Sequence, residues 1–282
     1  MGFWIADFGL ALLYQDTVQL QRQSEIRNPK SKIIMRYITL IALLLGALAG
    51  RAQQTEGVAT YTRKTDFARL ITQIKYMSQE QKDRYANTWK NDEDWKEKMK
   101  LSFSPSASLY SHDGESGESE QYNWTWRNRD LYLYRDFDKE RVLDVEEMLG
   151  KTYVVDDSLR LPVWRIGNQV REIAGHMCLN ATTTDPIQGY PVTAWFAQDI
   201  PVSAGPERYC GLPGLILELN LNNGVVLIEA TGVTFKPVAA ELKPHKVKKP
   251  KVITQSGYKS LIQKHIAERE KEQDWPFAGI RY

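Results

Sequence analysis

From Leu131 to Val233 the chain is a succession of short runs rich in Val, Ile, Tyr and Trp: LYLYRDF, ERVLDVEEML, KTYVVDD, VWRIG, QVREIAGHMCLNATTT, YPVTAWFAQDI, GLILELNL and GVVLIEATGV. Polar turns such as FDKE, IGNQ and LNNG separate them, too short to hold a helix. Parallel neighbours need a crossover of about a dozen residues or more, so strands joined this closely pair antiparallel, in a meander rather than a doubly wound sheet. Upstream, GVATYTRKT from Gly57 alternates with period two and predicts a first strand. Phe67, Leu70, Ile71, Ile74 and Met77 then follow helical spacing behind Asp66, an N-cap residue type, and the helical region, broken near Ser78, runs to Trp89. Alternation returns through Met99, Leu101 and Phe103, and a last helix is expected from Ser256 to Lys271, with Leu261, Ile262, His265 and Ile266 on one face. The expected fold is mainly β (α+β): one large curved antiparallel sheet or half-barrel, with an N-terminal helical insertion and a C-terminal helix.

The region before the first strand reads as a leader. From Met35, MRYITLIALLLGALAGRAQQ sets one arginine before an apolar run, Tyr37 to Ala49, and small residues flank Arg51. An h-region of about 13 residues with an A-x-A-like end is the pattern of a signal peptide, here residues 35–52, cut after Ala52; a membrane-spanning helix needs about 20 apolar residues. Residues 1–34 are then expected to be an upstream extension from an early start assignment. The mature chain divides into a β-rich domain, 53–242, a basic strap of lysines and prolines, 243–255, and the C-terminal helix and tail, 256–282. Of the 37 Lys and Arg and 35 Asp and Glu, residues 1–52 hold six and three, which leaves 31 and 32. A near-neutral body lacks the footprint of a nucleic-acid binder, and no membrane-spanning segment is expected in it. No lipidation cysteine follows the expected cleavage point.

Both cysteines, Cys178 and Cys210, lie in the mature region. In an exported chain two cysteines most often pair. A loop of this size would stabilise the fold by about 3–4 kcal/mol in the chain-entropy model; the alternative is two buried free thiols. Cys210 stands in GPERYCGLPGLILELN, just before a Pro-Gly corner. Leu212-Pro213-Gly214-Leu215 fits a type II turn, proline fixing φ at the second position and glycine accepting a positive φ at the third. Leu215, Leu217, Leu219 and Leu221 are then expected on one side of a strand, with Ile216, Glu218 and Asn220 on the other, and LNNG closes a hairpin.

These residues resemble the GLPGLI family of exported Gram-negative envelope proteins. The motif Gly211, Leu212, Pro213, Gly214, Leu215, Ile216, preceded by Gly205 and Pro206, carries the resemblance. VWRIGNQVREIAGHMCLNATT and YPVTAWFAQDIPVSAGPERYCGLPGLIL, which match the family's spacing, extend it. His176 stands where the family usually has an aromatic residue. The resemblance covers about residues 57–271, strongest over 163–217. It implies export to the periplasm or cell envelope and a β-rich body, and it brings no established activity, catalytic residues or cofactor.

Chemistry-bearing residues are sparse. His112, His176, His245 and His265 form no HxxH or HExxH pair, so local zinc binding has no support. The acidic stretch 112–121 lacks the ligand spacing of a calcium loop. A nucleophile pair of Cys178 with His176 has no third group to orient it. The binding candidates are Trp195, Asp199, Glu207, Arg208 and Tyr209, around the loop that a rigid scaffold would present, together with Trp124 and Trp126 on one strand face. The leading expectation is a non-enzymatic envelope protein that binds a partner or ligand, accessory to outer-membrane transport, with no cofactor or metal. The alternatives are a carrier of a lipid or other hydrophobic ligand in a sheet-enclosed cavity, and an envelope hydrolase using Asp199 and Glu207.

Overall fold

The computed structural model describes residues 55–89, 96–114 and 130–282. The signal-peptide region, the extension before it, and Trp124 and Trp126 lie outside the described residues. Among them, twelve strands form one sheet: β1 (Gly57–Thr65), β2 (Lys96–Phe103), β3 (Ala107–His112), β4 (Leu131–Asp136), β5 (Arg141–Met148), β6 (Lys151–Ser158), β7 (Arg165–Ile173), β8 (His176–Thr184), β9 (Pro191–Ala197), β10 (Leu215–Leu221), β11 (Val226–Phe235) and β12 (Lys251–Ile253). The helices are α1 (Phe67–Gln73), α2 (Gln79–Trp89) and α3 (Gln255–Lys271). Asp66 caps α1 as expected, its Oδ1 accepting from Arg69 N at 2.8 Å, and the helical insertion breaks between Gln73 and Gln79.

The strand order is β12-β6-β5-β4-β3-β2-β1-β11-β10-β9-β8-β7. Two meanders, β2 to β6 and β7 to β11, meet on either side of β1, which pairs antiparallel with β2 and with β11. The single meander expected from the sequence is thus two, and β12, inside the lysine strap, adds a parallel strand at the edge beside β6. Three residues of a lysine- and proline-rich run carry too little periodicity to announce a strand.

The order has a geometric consequence. β6 is second and β7 twelfth in the row, a distance of about 48 Å in a flat sheet at ~4.8 Å per strand. Yet only Leu159 to Trp164 join them, a reach of about 24 Å at most. The sheet must curl until its two ends approach, and it stops short of closing into a barrel.

Register assigns the concave face. Tyr61 and Arg63 of β1 stand opposite Met99 and Glu97 of β2, Leu101 opposite Tyr110 of β3, Tyr110 opposite Leu133, and Leu133 opposite Asp144 of β5. Tyr61, Phe103, Tyr110 and Phe196 are almost fully buried, as are Met99, Leu101 and Leu133; each contributes about 1.5–3 kcal/mol by burial. The rim differs: of six large apolar side chains exposed among the described residues, five (Leu161, Val163, Ile166, Val170 and Met177) lie along the connector and the β7 end of the sheet.

One turn expectation is corrected and another holds. IGNQ is no turn: β7 runs through it, with a register irregularity between Ile166 and Val170 where Gln169 N donates to Asn180 Oδ1. The reversal comes later, where Ala174 and Gly175, at φ 50° and 83°, make the two-residue hairpin to β8, a turn type that demands left-handed backbone at both positions. The LNNG hairpin forms between β10 and β11 as expected, with Asn222, Asn223 and Gly224 at positive φ.

Candidate functional site

The segment Gln198 to Gly214, between β9 and β10, folds inward: Ile200, Val202, Ala204, Tyr209, Cys210 and Leu212 are all buried. Backbone bonds stitch it to the entry of β10, Leu215 N donating to Ile200 O at 2.9 Å and Ile216 N to Ala204 O at 3.0 Å. The corner is not the expected type II turn. Gly211 holds the left-handed conformation, at φ +91°, while Gly214 is needed for close approach: a Cβ there would lie 2.2 Å from Ala197 O. β10 also departs from simple alternation. A bulge between Ile216 and Glu218 changes its register on β9, and every residue from Leu215 to Leu221 except Asn220 is buried. Tyr61 Oη donates to Ile216 O at 2.8 Å, at the irregular point.

The expected disulfide is not formed: Cys178 and Cys210 are both free and buried. Cys178 stands opposite Arg171 and Ala197 in register, on the face of the sheet that carries Trp195. Cys210 lies in the loop, where Trp164 Nε1 donates to its carbonyl at 2.9 Å and Arg135 and Asp144 of the concave face act on its thiol. Burial raises both thiols, Cys178 to about 11. Noncovalent bonds hold the loop instead.

Those bonds centre on three adjacent residues. Glu207, at φ 53°, enters a quartet with Arg63, Glu97 and Arg281. Its Oε1 lies 2.9 Å from Arg281 and 3.2 Å from Arg63 Nε, while Glu97 meets Arg63 at 2.8 Å and Arg281 at 3.1 Å. Burial would raise both carboxyls, but the guanidiniums of Arg281 and Arg63 outweigh it, so Glu207 is held below its usual value and Glu97 at about 2. Arg208 enters a second quartet, 2.6 Å from Glu146 and 3.3 Å from Asp144, which also pairs with Arg135. Tyr258 of α3 donates to the same Glu146 oxygen at 2.9 Å and lies 4.5 Å beneath the Arg208 guanidinium. Tyr209 Oη donates to Asp185 at 2.9 Å; burial, reinforced by Tyr190 and Asp185, pushes its hydroxyl far up. The Gly-Pro and Pro-Gly corners of the motif therefore bracket a plug that inserts Glu207, Arg208 and Tyr209 into the curl of the sheet.

A cleft of about 850 Å³ opens at the unclosed seam. Its walls come from β6, α3, the Leu159–Trp164 connector, the β8–β9 turn, the plug and Arg281 and Tyr282. The cationic residues lining it are Arg135, Arg160, Arg165, Arg208, Lys259 and Arg281, against the acids Asp144, Asp185 and Glu207. Such a lining does not suit the apolar cavity expected of a hydrophobic-ligand carrier.

The structure divides the predicted binding residues. Glu207, Arg208 and Tyr209 come together at the cleft. Trp195 does not: it faces Glu218 in register, with the Arg171 guanidinium 4.4 Å over its ring and bonded to Glu218. Asp199 is largely exposed, 2.7 Å from His176 Nδ1, whereas Glu207 is buried against Arg63 and Arg281. Sequence reading missed Arg63, Glu97, Asp144, Glu146, Tyr258 and Arg281. One signal was available: Val142, Asp144, Glu146 and Met148 alternate along β5, which sets two carboxylates on an otherwise apolar face. Among the described residues no group of His, Cys, Asp and Glu could hold a metal ion, and no helix is long and apolar enough to cross a membrane.

Residues 188–218, from the β8–β9 turn through the plug into β10, match the family model described as "Protein of unknown function (Porph_ging)". No curated protein matches the chain. Among solved structures, PNGF-II in a C2 crystal form is similar with a TM-score of 0.47 and 14% identity over 74% of this chain and 33% of that one. Its P21 form gives 0.48 and 14% over 74% and 34%. An uncharacterized conserved protein from Thermus thermophilus gives 0.36 and 7% over 73% and 94%. The chain spans about a third of the length of PNGF-II. None of the three reaches a TM-score of 0.5, and they lend this chain no chemistry.

Proposed function

We propose that the chain is an exported, non-enzymatic cell-envelope protein of the GLPGLI type, and that the seam cleft is where it binds its ligand. The observation that carries this reading is the cleft itself, held open by two ion quartets. Arg135, Arg208 and Arg281 are each paired with carboxylates, and the hydroxyls of Tyr209 and Tyr258 are bonded within the protein. A floor whose polar groups are already satisfied is preorganised, so a ligand can enter without it rearranging. The same engagement argues against a catalytic role, because Asp144, Asp185 and Glu207 are each bonded to other groups of the protein. Export is supported by the signal-peptide pattern of residues 35–52 and by the GLPGLI resemblance. A partner, accessory to outer-membrane transport, is supported by the expected export, the large curved sheet and the apolar side chains exposed at the β7 end.

The test is native mass spectrometry of the chain purified from its own cell envelope, beside a Thr182→Trp variant. Thr182 is exposed and lines the cleft, so an indole there occupies the space without touching the core. A small molecule retained by the wild type and lost from the variant is expected. A wild type carrying nothing, or a variant that keeps the same molecule, would sink the reading.

A further inference from the structure

The cations of the cleft fall into two groups. Arg135, Arg208 and Arg281, at its floor, are neutralised by Asp144, Glu146, Glu97 and Glu207. Arg160 on the connector, Arg165 at the start of β7 and Lys259 in the first turns of α3 also line the cleft. They are exposed, and none makes an ion pair among the described residues. Two carboxylates are engaged mainly by neutral donors: Asp157, whose charge also acts with Arg160, accepts from the backbone of Ser158 and Gln255, and Asp185 accepts from Ile187 N, Gln188 N and Tyr209 Oη. Three cations from three separate elements thus converge on one concave mouth with a surplus of positive charge. A cleft with walls of low dielectric concentrates such a field, and arginine presents a planar fork suited to carboxylate or phosphate.

The rest of the wall describes the body of the ligand. Tyr190, Tyr209, Tyr258 and Tyr282 line the cleft with Thr182, Thr183, Thr184, Gln188, Gln255 and Ser256. Tyr209 and Tyr258 are buried with their hydroxyls bonded inside the protein, while Tyr190 and Tyr282, partly exposed and stacked on each other, are the rings a guest can reach; Tyr282 Oη accepts from Asn222. Ring faces beside hydroxyls and carboxamides suit a rigid, hydroxyl-rich molecule better than an acyl chain.

We infer that the cleft binds an acidic saccharide, its carboxylate or phosphate groups held at the mouth by Arg160, Arg165 and Lys259 and its rings lying against Tyr190 and Tyr282. This rests on the reading of the cleft as the ligand site and adds the class of ligand. The sugar can be free or the headgroup of a glycolipid; the recognising chemistry is the same.

Isothermal titration of the full chain with an oligogalacturonate of about five residues tests it, beside neutral maltopentaose, an acidic Asp-Glu peptide of similar charge and detergent-dispersed lipid A for the lipid-linked source. Oligogalacturonate or lipid A should bind, more weakly as salt rises, and Arg160→Ala/Arg165→Ala/Lys259→Ala should lower affinity by about 30-fold, as expected for removing several cationic contacts. Lys246→Ala/Lys248→Ala/Lys249→Ala, in the exposed strap, should change it by less than about twofold, which excludes general attraction to lysines. Which acidic saccharide binds identifies the source. Maltopentaose binding that the triple arginine and lysine variant leaves unchanged overturns the acidic ligand while sparing the cleft. Equal binding of the peptide overturns the saccharide, and equal loss in the strap variant overturns the location. Binding by no probe overturns the proposal, whereas the retained-ligand experiment judges the cleft separately.

Discussion

Replacing Gly214 with alanine would add one methyl group at the most crowded point of the corner. The new Cβ would sit 2.2 Å from Ala197 O and 2.8 Å from its carbonyl carbon, whereas a carbon and a carbonyl oxygen approach comfortably only to about 3.3 Å. Both obstructing atoms belong to the backbone of β9, so no side chain can swing aside. The strands must part by about 1 Å, and Leu215, paired with Ala197 and donating to Ile200 O at 2.9 Å, sits on the part that moves. Overpacking costs about 1–3 kcal/mol, and a weakened buried hydrogen bond about 1 kcal/mol more. The smaller entropy of an unfolded alanine chain returns about 0.4–1 kcal/mol. The net loss should be about 2–3 kcal/mol, read in guanidinium denaturation as a lower midpoint with an unchanged slope, and in calorimetry as a fall of about 5–10 °C. Pro213→Ala, at an exposed position beside it, should cost less than about 1 kcal/mol. A Gly214→Ala chain within about 0.5 kcal/mol of the wild type would refute the close approach and the corner built on it.

Glu207→Gln leaves Arg63 and Arg281 to share Glu97 in a largely buried site, and should destabilise by about 3 kcal/mol. Glu268→Gln, at an exposed helical pair with Lys264, should shift stability by less than about 0.5 kcal/mol; equal effects would contradict the buried quartet. Acid should act through the same groups. The folded carboxyls of Glu97, at about 2, and Glu207 are depressed, so their stabilisation is complete above the unfolded value near 4.3 and drains away as pH falls toward 2. Urea midpoints should therefore drop from pH 5 to pH 3, and a flat profile would count against the assignment. Finally, a thiol reagent at pH 8 should find no reactive cysteine in the native chain and two after unfolding without reductant, since both thiols are free, buried and raised. Two thiols that stay silent until reductant is added would restore the disulfide.

Local features were legible in the residues because they rest on local physics. The period-two run of β1, the cap at Asp66, the hairpin at LNNG and the mainly β class follow from neighbours within a few positions. What failed depends on partners far along the chain. Nothing near IGNQ reveals that Asn180 supports an irregular β7 there, and nothing near Cys178 reveals which face of β8 it takes. Gly214 was credited with a backbone angle when its demand is space, set by Ala197 across a strand pair. At the site, Glu207, Arg208 and Tyr209 were found because a loop rich in glycine and proline stood out. Trp195 and Asp199 were grouped with them only by nearness in sequence. Arg63 and Arg281, which complete the first quartet, stand 218 positions apart, and only the folded sheet brings them together.

The central place of β1 bears on how such a chain is made. Of the described strands synthesis delivers Gly57–Thr65 first, yet one of its two flanking strands is Val226–Phe235, eleventh of the twelve in chain order. Until then the nascent sheet has a gap in its middle, with main-chain amides on one side of β1 still hydrated. Closing a contact across so long a stretch of chain is slow, so the sheet stays unfinished, and threadable, until Val226–Phe235 has been made. A truncation anywhere before Val226 would not trim an edge; it would remove the keystone's second support.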